Sequence, residues 1–290
     1  MVPGLFPALA AALLWGGYLY SLKRYFSGYS GAVIAVVVNT IATAWYLPGA
    51  YAYLGGFPTL PSFSAFGVAI VGVTVAFAAL GFLLVTRALA AGDVTLVAPV
   101  AKIVPVFVLP LELLLLPVAL GPLQVVGIGV VTAAVYLANY EGGRVLDPLR
   151  NLTRSHAVRL ALLSAACYGV SDVAKRVALQ DVGVPTAYWV IVSLIGPALL
   201  LAPIAARDWP DEGLRADLPL FVGIAVVVAL ARVATTLSFS VTSASVAATI
   251  INAQSVVAVV LGGVLLAEEG FRTRLAASAL AVAGIALIAQ

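Results

Sequence analysis

Apolar runs separated by short clusters of charge, glycine and proline repeat along the whole chain. A helix that crosses hydrocarbon needs about 20 mostly apolar residues, and the clusters divide the sequence into about ten runs of that kind. They run from about Pro3 to Leu22, Gly31 to Tyr53, Phe63 to Ala90, Val94 to Leu116, and from Gly121-Pro122 to near Tyr140. After a polar stretch, EGGRVLDPLRNLTRSH, they continue from Ala157 to Leu179, Gly183 to Ala206, Leu218 to Val241, Ala244 to Ala267, and Leu275 to the end. The first run resembles a signal peptide in hydropathy. It lacks a basic leading region and ends in Lys23 and Arg24, so it reads as a retained first span.

The polar stretch halves the chain into residues 1–142 and 157–290, joined by a linker over 143–156, with five apolar runs on each side. The halves can be aligned. ALLWGGYLYSLKRYF lies on AACYGVSDVAKRVAL, so that Trp15-Gly16 falls on Tyr168-Gly169 and the Lys-Arg pair recurs within one residue. VTLVAPVAKIVPVFV lies on ASVAATIINAQSVVAVV and puts Lys102 opposite Asn252. An odd number of spans per copy means that the second copy enters the membrane from the opposite side. The expected fold is therefore an all-α integral membrane protein of ten transmembrane helices, arranged as two inverted five-helix repeats. Secondary transporters commonly use this plan, with a site near the midplane between the repeats.

Composition agrees. Of 290 residues, 63% are hydrophobic and only 9% charged, against about 25% charged in a soluble domain. A soluble fold could not cover its surface with so few charges. The net charge of +3 comes from scattered loop-end residues, so no nucleic-acid partner is expected. Cys167 and His156 are the only residues of their types, which excludes a Cys/His metal site and an intrachain disulfide. Asn151-Leu152-Thr153 fits a glycosylation sequon, with a chance match the simpler reading. No metal-protease, P-loop or nucleophile-elbow motif is present, so neither enzyme activity nor a cofactor is expected. Active transport would have to draw on an ion gradient or on exchange.

Ionisable residues inside spans cost roughly 2.5–3.5 kcal/mol each on insertion scales and need a partner or a wet cavity. Lys102 lies about nine residues into the fourth run, between Pro99 and Pro105, with Pro110 beyond. Prolines free backbone carbonyls that lipid cannot satisfy, so a cavity wall is one reading. A paired or snorkelling lysine is the other. Asp172 precedes Lys175 and Arg176 by three and four residues and can pair with either on one helix face. It is either an insertion-easing ion pair or a proton or substrate site. Arg232 lies among Thr235, Thr236 and Ser238, too polar a face for lipid; it contacts substrate or pairs with Asp172. Trp15, Tyr18 and Tyr168 line a site or anchor helices. Asn252 and Gln254 bind substrate or join helices. Glu112 lies nearer the end of its run.

These segments resemble the drug/metabolite transporter superfamily, specifically its ten-span EamA-type members. The first-span pattern ALLWGGYLYSLKRYF carries the resemblance, as do LVAPVAKIVPVFVLPLELLLL with GPLQVVGIGVVTAAVYL. So does the ninth-to-tenth-span region VVAVVLGGVLLAEEGFRTRLAASALAVAGIALIA, with Glu268 or Glu269 after the ninth span. The superfamily's four-span multidrug members carry a glutamate on the first span, eight residues before a lysine. That spacing falls on Trp15 and Tyr168 here, so their drug–proton site is absent. The resemblance implies a cavity lined by the first, third, fourth, sixth, eighth and ninth spans, and both termini in the cytoplasm. Lys23, Arg24, Arg87, Arg144, Arg150, Arg154, Arg207, Arg215, Arg272 and Arg274 would then all be external, whereas the positive-inside rule favours the reverse, so orientation stays open.

The expected function is secondary transport of small polar metabolites, of amino-acid-like or organic-anion class, across the cell membrane by alternating access. Lys102 and Arg232 would hold an anionic group, Asp172 would balance charge or carry a proton, and Trp15, Tyr18 and Tyr168 would pack on the substrate's apolar part. The partners expected are a small-molecule substrate, membrane lipids and a coupled proton or exchanged solute, with the protein a monomer or homodimer. The alternatives are a lipid or lipid-linked-sugar translocase and a non-transporting membrane scaffold.

Overall fold

Every regular element among the described residues is helical, in a computed structural model that describes residues 2–56, 63–91, 94–138, 155–210, 214–265 and 271–290. Glu268, Glu269 and the sequon at Asn151 lie outside these residues, as does nearly all of the polar linker. The first half holds α1 (Leu5–Tyr25), α2 (Gly31–Leu54), α3 (Ala65–Ala91), α4 (Val94–Ala101), α5 (Val104–Leu115) and α6 (Pro122–Ala138). The second holds α7 (His156–Arg176), continued by a π-helical turn over Val177–Asp181, then α8 (Thr186–Arg207), α9 (Leu218–Phe239), α10 (Ala244–Asn252), α11 (Gln254–Leu265) and α12 (Phe271–Ile288). Six helices, α1, α2, α3, α8, α9 and α7 with its π turn, are long and apolar enough to cross a membrane by themselves. Shorter apolar helices supply the other four spans, giving ten.

Two spans depart from the expected continuous runs. Val94–Leu116 is broken at Lys102 and Ile103 into α4 and α5, and the run from Ala244 is broken at Ala253 into α10 and α11. At the first break Pro105 lies in the opening turn of α5, where its missing N–H is harmless; further back in a continuous helix its ring would meet the carbonyl of Ala101. The second break has no proline. There the Ser255 hydroxyl donates to the Asn252 carbonyl at 3.1 Å, and the Ala253 amide bonds to Ile250 at 3.1 Å in a tighter turn. The two breaks coincide in the repeat alignment, which pairs Lys102 with Asn252 and therefore Ile103 with Ala253.

Packing runs mainly between the halves and follows a two-fold pattern. Helix α1 lies on α9 as α3 lies on α7; α1 touches α10 and α11 as α7 touches α4 and α5; α2 meets α8, and α6 meets α12. Glycines make these crossings close. A Cβ at Gly16 would lie 2.5 Å from the Cβ of Val257, and one at Gly169 would lie 2.7 Å from the Cβ of Phe107. Gly127 and Gly284 play the same part between α6 and α12, where a Cβ on Gly127 would stand 2.7 Å from the Gly284 carbonyl oxygen. Small residues let membrane helices approach until backbone dispersion and weak polar contacts hold them. The Trp15-Gly16 on Tyr168-Gly169 register read from sequence is thus the register of the fold.

Candidate functional site

The middle of α1 presents Trp15 to α9, where its indole Nε1 donates to the Thr235 hydroxyl at 3.0 Å. One turn on, the Tyr18 ring meets Trp15 edge-on at 5.5 Å between centroids. The Arg232 guanidinium lies one turn before Thr235 on α9, with its Cζ 5.0 Å from the Trp15 ring centroid. A cation over an indole face is attracted by the ring quadrupole, and more strongly once desolvated. Tyr168, from the equivalent position on α7, has its ring against Gly81 of α3, where an added Cβ would lie 3.1 Å from Cδ2. Tyr18, Tyr168 and Asp172 are all electrostatic neighbours of Arg232. The inverted repeat therefore brings Trp15, Tyr18, Tyr168, Asp172 and Arg232 together from α1, α7 and α9.

The charges in this group are unequally matched. Asp172 accepts from the Lys175 ammonium at 2.6 Å, and that ammonium also lies 4.3 Å from the Phe239 ring centroid. Arg176 takes no part in the pair, contrary to the option of sharing Asp172. Its Nη1 donates instead to Asp181 at 2.6 Å. The π-helical turn explains this, because five-residue spacing brings positions 176 and 181 onto one face. Arg232 makes no ion pair among the described residues, and its buried Nε lacks a hydrogen-bond partner. A cation without a direct ion pair inside a span is costly unless water or a ligand reaches it.

Lys102 stands apart from this group. It has no hydrogen bond or ion pair among the described residues and is only partly buried. Its neighbours Val100 and Ala101 cluster with Ala157, Val158 and Ala161 near the start of α7. Ala161 precedes Tyr168 by about two helical turns, or roughly 10 Å. Lys102 also sits where α4 ends and α5 begins, so the broken span presents free carbonyls and free amides beside it. Asn252 and Gln254 flank the second break. The Asn252 side chain is buried, and the Gln254 carbonyl would lie 2.9 Å from a Cβ on Gly16, which places this break beside Trp15.

Three participants had no role assigned from the sequence. Thr235 was noted only as part of a polar face, although it holds the Trp15 indole. Gln180, in the π turn, donates through Nε2 to the carbonyls of Phe239 and Thr242, each at 2.7 Å, and so closes the C-terminus of α9. Glu112 of α5 is fully buried and accepts from the amides of Ala244 and Ser245 at 2.5 and 2.8 Å, and from the Ser245 hydroxyl. A lone carboxylate inside an apolar run was the available signal.

Residues 2–140 and 156–290 each match the EamA-like transporter family. A solved crystal structure is similar over 99% of this chain and 98% of its own, with a TM-score of 0.77 and 18% identity; at that identity the likeness shows the fold alone. No curated protein matches the chain.

Proposed function

Because the chain belongs to the EamA-like transporter family, whose members are non-enzymatic multi-pass membrane proteins, we propose that it carries small polar metabolites bearing an anionic group. The substrate class is amino-acid-like or organic-anion, and transport is secondary, by alternating access between the two five-helix halves in the cell membrane. The observation that carries this reading is Arg232: a cation inside a span, over the Trp15 ring, that makes no direct ion pair among the described residues, while the neighbouring Asp172 is paired with Lys175.

A carboxylate or phosphate would accept hydrogen bonds from the guanidinium, and such charge-assisted bonds are about twice as strong as neutral ones. Trp15, Tyr18 and Tyr168 would cover the apolar part of the solute. Asp172, already held by Lys175, balances the local charge or carries a coupled proton. Lys102, at the break between α4 and α5, acts by longer-range attraction. Asn252 and Gln254 bring amide groups to the second break, where half-helix ends suit polar solutes.

One feature favours lipid translocation instead. An apolar cleft of about 200 Å³ lies between α2 and α9, lined by Trp45, Tyr46, Gly49, Leu230 and Val233 among others. It holds no charged group, so it suits an acyl chain and leaves Arg232 unexplained. Purified protein in sealed liposomes separates the readings. Saturable uptake of water-soluble carboxylates, with matched neutral amides rejected, is the expected result. Flipping of a labelled lipid without carboxylate uptake would favour the cleft, and neither activity would return the protein to a scaffold role.

A further inference from the structure

We propose that Glu112 is a releasable latch that closes one face of the protein by binding the turn between α9 and α10 in the other repeat. This rests on the alternating-access reading above. Spans alternate in direction, so the start of α1, the end of α5, the π turn after α7 and the α9–α10 turn all lie at one face, the N-terminal face. The packing agrees, since a Cβ on Gly4 would lie 3.0 Å from the Ser238 carbonyl oxygen and from Val241 Cγ2. At this face the second repeat braces its own turn through Gln180. Glu112 reaches the same turn from the first repeat.

The Glu112 carboxylate does the work of a helix cap. Ser243 occupies the N-cap position of α10, yet its side chain makes no capping bond and its buried hydroxyl has no partner. Glu112 takes the first two amides of α10, those of Ala244 and Ser245, and adds the Ser245 hydroxyl. A negative charge at a helix N-terminus is favoured by the exposed amides and the helix dipole. The cap therefore comes from the opposite half, and α10 keeps it only while the two halves meet at this face.

A permanent brace would not need a charge. Apolar side chains of equal volume generally hold a buried contact as well as ions do, or better. A carboxylate differs in that it can return to water when the face opens. The mirrored contact tells in the same direction. In an inverted repeat, the opposite conformation arises when the halves exchange roles. The alignment that pairs Lys102 with Asn252 places Gly262 at the Glu112 position and Val94 and Thr95 at the Ala244 and Ser245 positions. Glycine has no side chain with which to cap, so only one of the two conformations carries this latch. The resting equilibrium is thereby biased toward closure of the N-terminal face.

Paired spin labels at Leu115→Cys and Val241→Cys, both exposed positions, in a Cys167→Ser background reconstituted in lipid, test the latch. The unmodified latch should give one dominant short distance. Glu112→Gln should raise the population of a longer distance on the order of tenfold, as the loss of charge-assisted bonds to three donors implies. Identical distributions would overturn the proposal. Should Glu112→Gln fail to fold, Ser245→Ala removes the hydroxyl bond alone and should produce a smaller shift in the same direction; no shift there would also overturn it. Carboxylate uptake is measured separately. A distance shift without uptake in any liposome would sink the substrate reading while supporting the latch.

Discussion

The two broken spans share a backbone plan and differ in almost every polar side chain. The first carries Lys102 at its break and Pro105 just after; the second carries Asn252 and no proline. The first carries Glu112 in its last turn, and the second has Gly262 in register. The same contrast appears around the aromatic group. Trp15 contacts Thr235, and its counterpart Tyr168 contacts Gly81, so Arg232, three residues before Thr235, is matched by Ala78. Asp172 is matched by Leu19. The close-packed glycines, by contrast, occur in both copies. Symmetry is thus carried by small residues that permit helix crossing, and chemistry by residues present in one copy only. Packing constraints are the same in both halves, whereas a solute bound between them needs only one set of contacts.

The largest expected effect comes from removing the cation. Arg232→Ala makes α9 resemble α3 and should weaken carboxylate binding by about 2–3 kcal/mol, roughly 30- to 150-fold. Isothermal titration or uptake kinetics would show it. Unchanged affinity would mean that the asymmetry of this pair is unrelated to substrate.

The symmetric positions should respond alike. Gly16→Ala and Gly169→Ala each force a Cβ into a rigid neighbour at 2.5 and 2.7 Å. Each should destabilise the fold by about 1–3 kcal/mol, the usual range for overpacking. Thermal unfolding in detergent checks this, and a large inequality between the two would break the claim of equivalent crossings.

Asp172→Asn should abolish gradient-driven accumulation while solute exchange continues at a measurable rate, if this carboxylate carries a coupled proton. Accumulation at the wild-type level would leave Asp172 as the partner of Lys175 only. The smallest change is expected from Lys102→Asn, which makes the two breaks alike. Lys102 has no direct contact with the aromatic group among the described residues, so its charge acts through longer-range attraction and should contribute less than a direct charge-assisted hydrogen bond, under about 1.5 kcal/mol. Anion affinity should fall by that amount and the loss should shrink at high salt. A loss larger than that for Arg232→Ala would place the solute at the first break.

The ten spans, their inverted duplication and the Trp15–Tyr168 and Lys102–Asn252 pairings were legible in the chain. Each depends on hydropathy, segment count or local residue order, which lipid as a solvent imposes directly on every stretch of about 20 residues. The interruption of the spans was only half legible. Pro105 announced the first break, and nothing local announced the second. Among the ionisable groups, only the i,i+3 pair of Asp172 and Lys175 could be read from spacing. Arg176 turns to Asp181 because a π turn changes the helical spacing, Arg232 lies on Trp15 across 217 residues of chain, and Glu112 caps a helix 132 residues away. Such contacts depend on the depth and rotation of each helix in the bundle, which are decided by glycine-mediated packing between the halves and leave no trace in the spacing of the charged residues themselves.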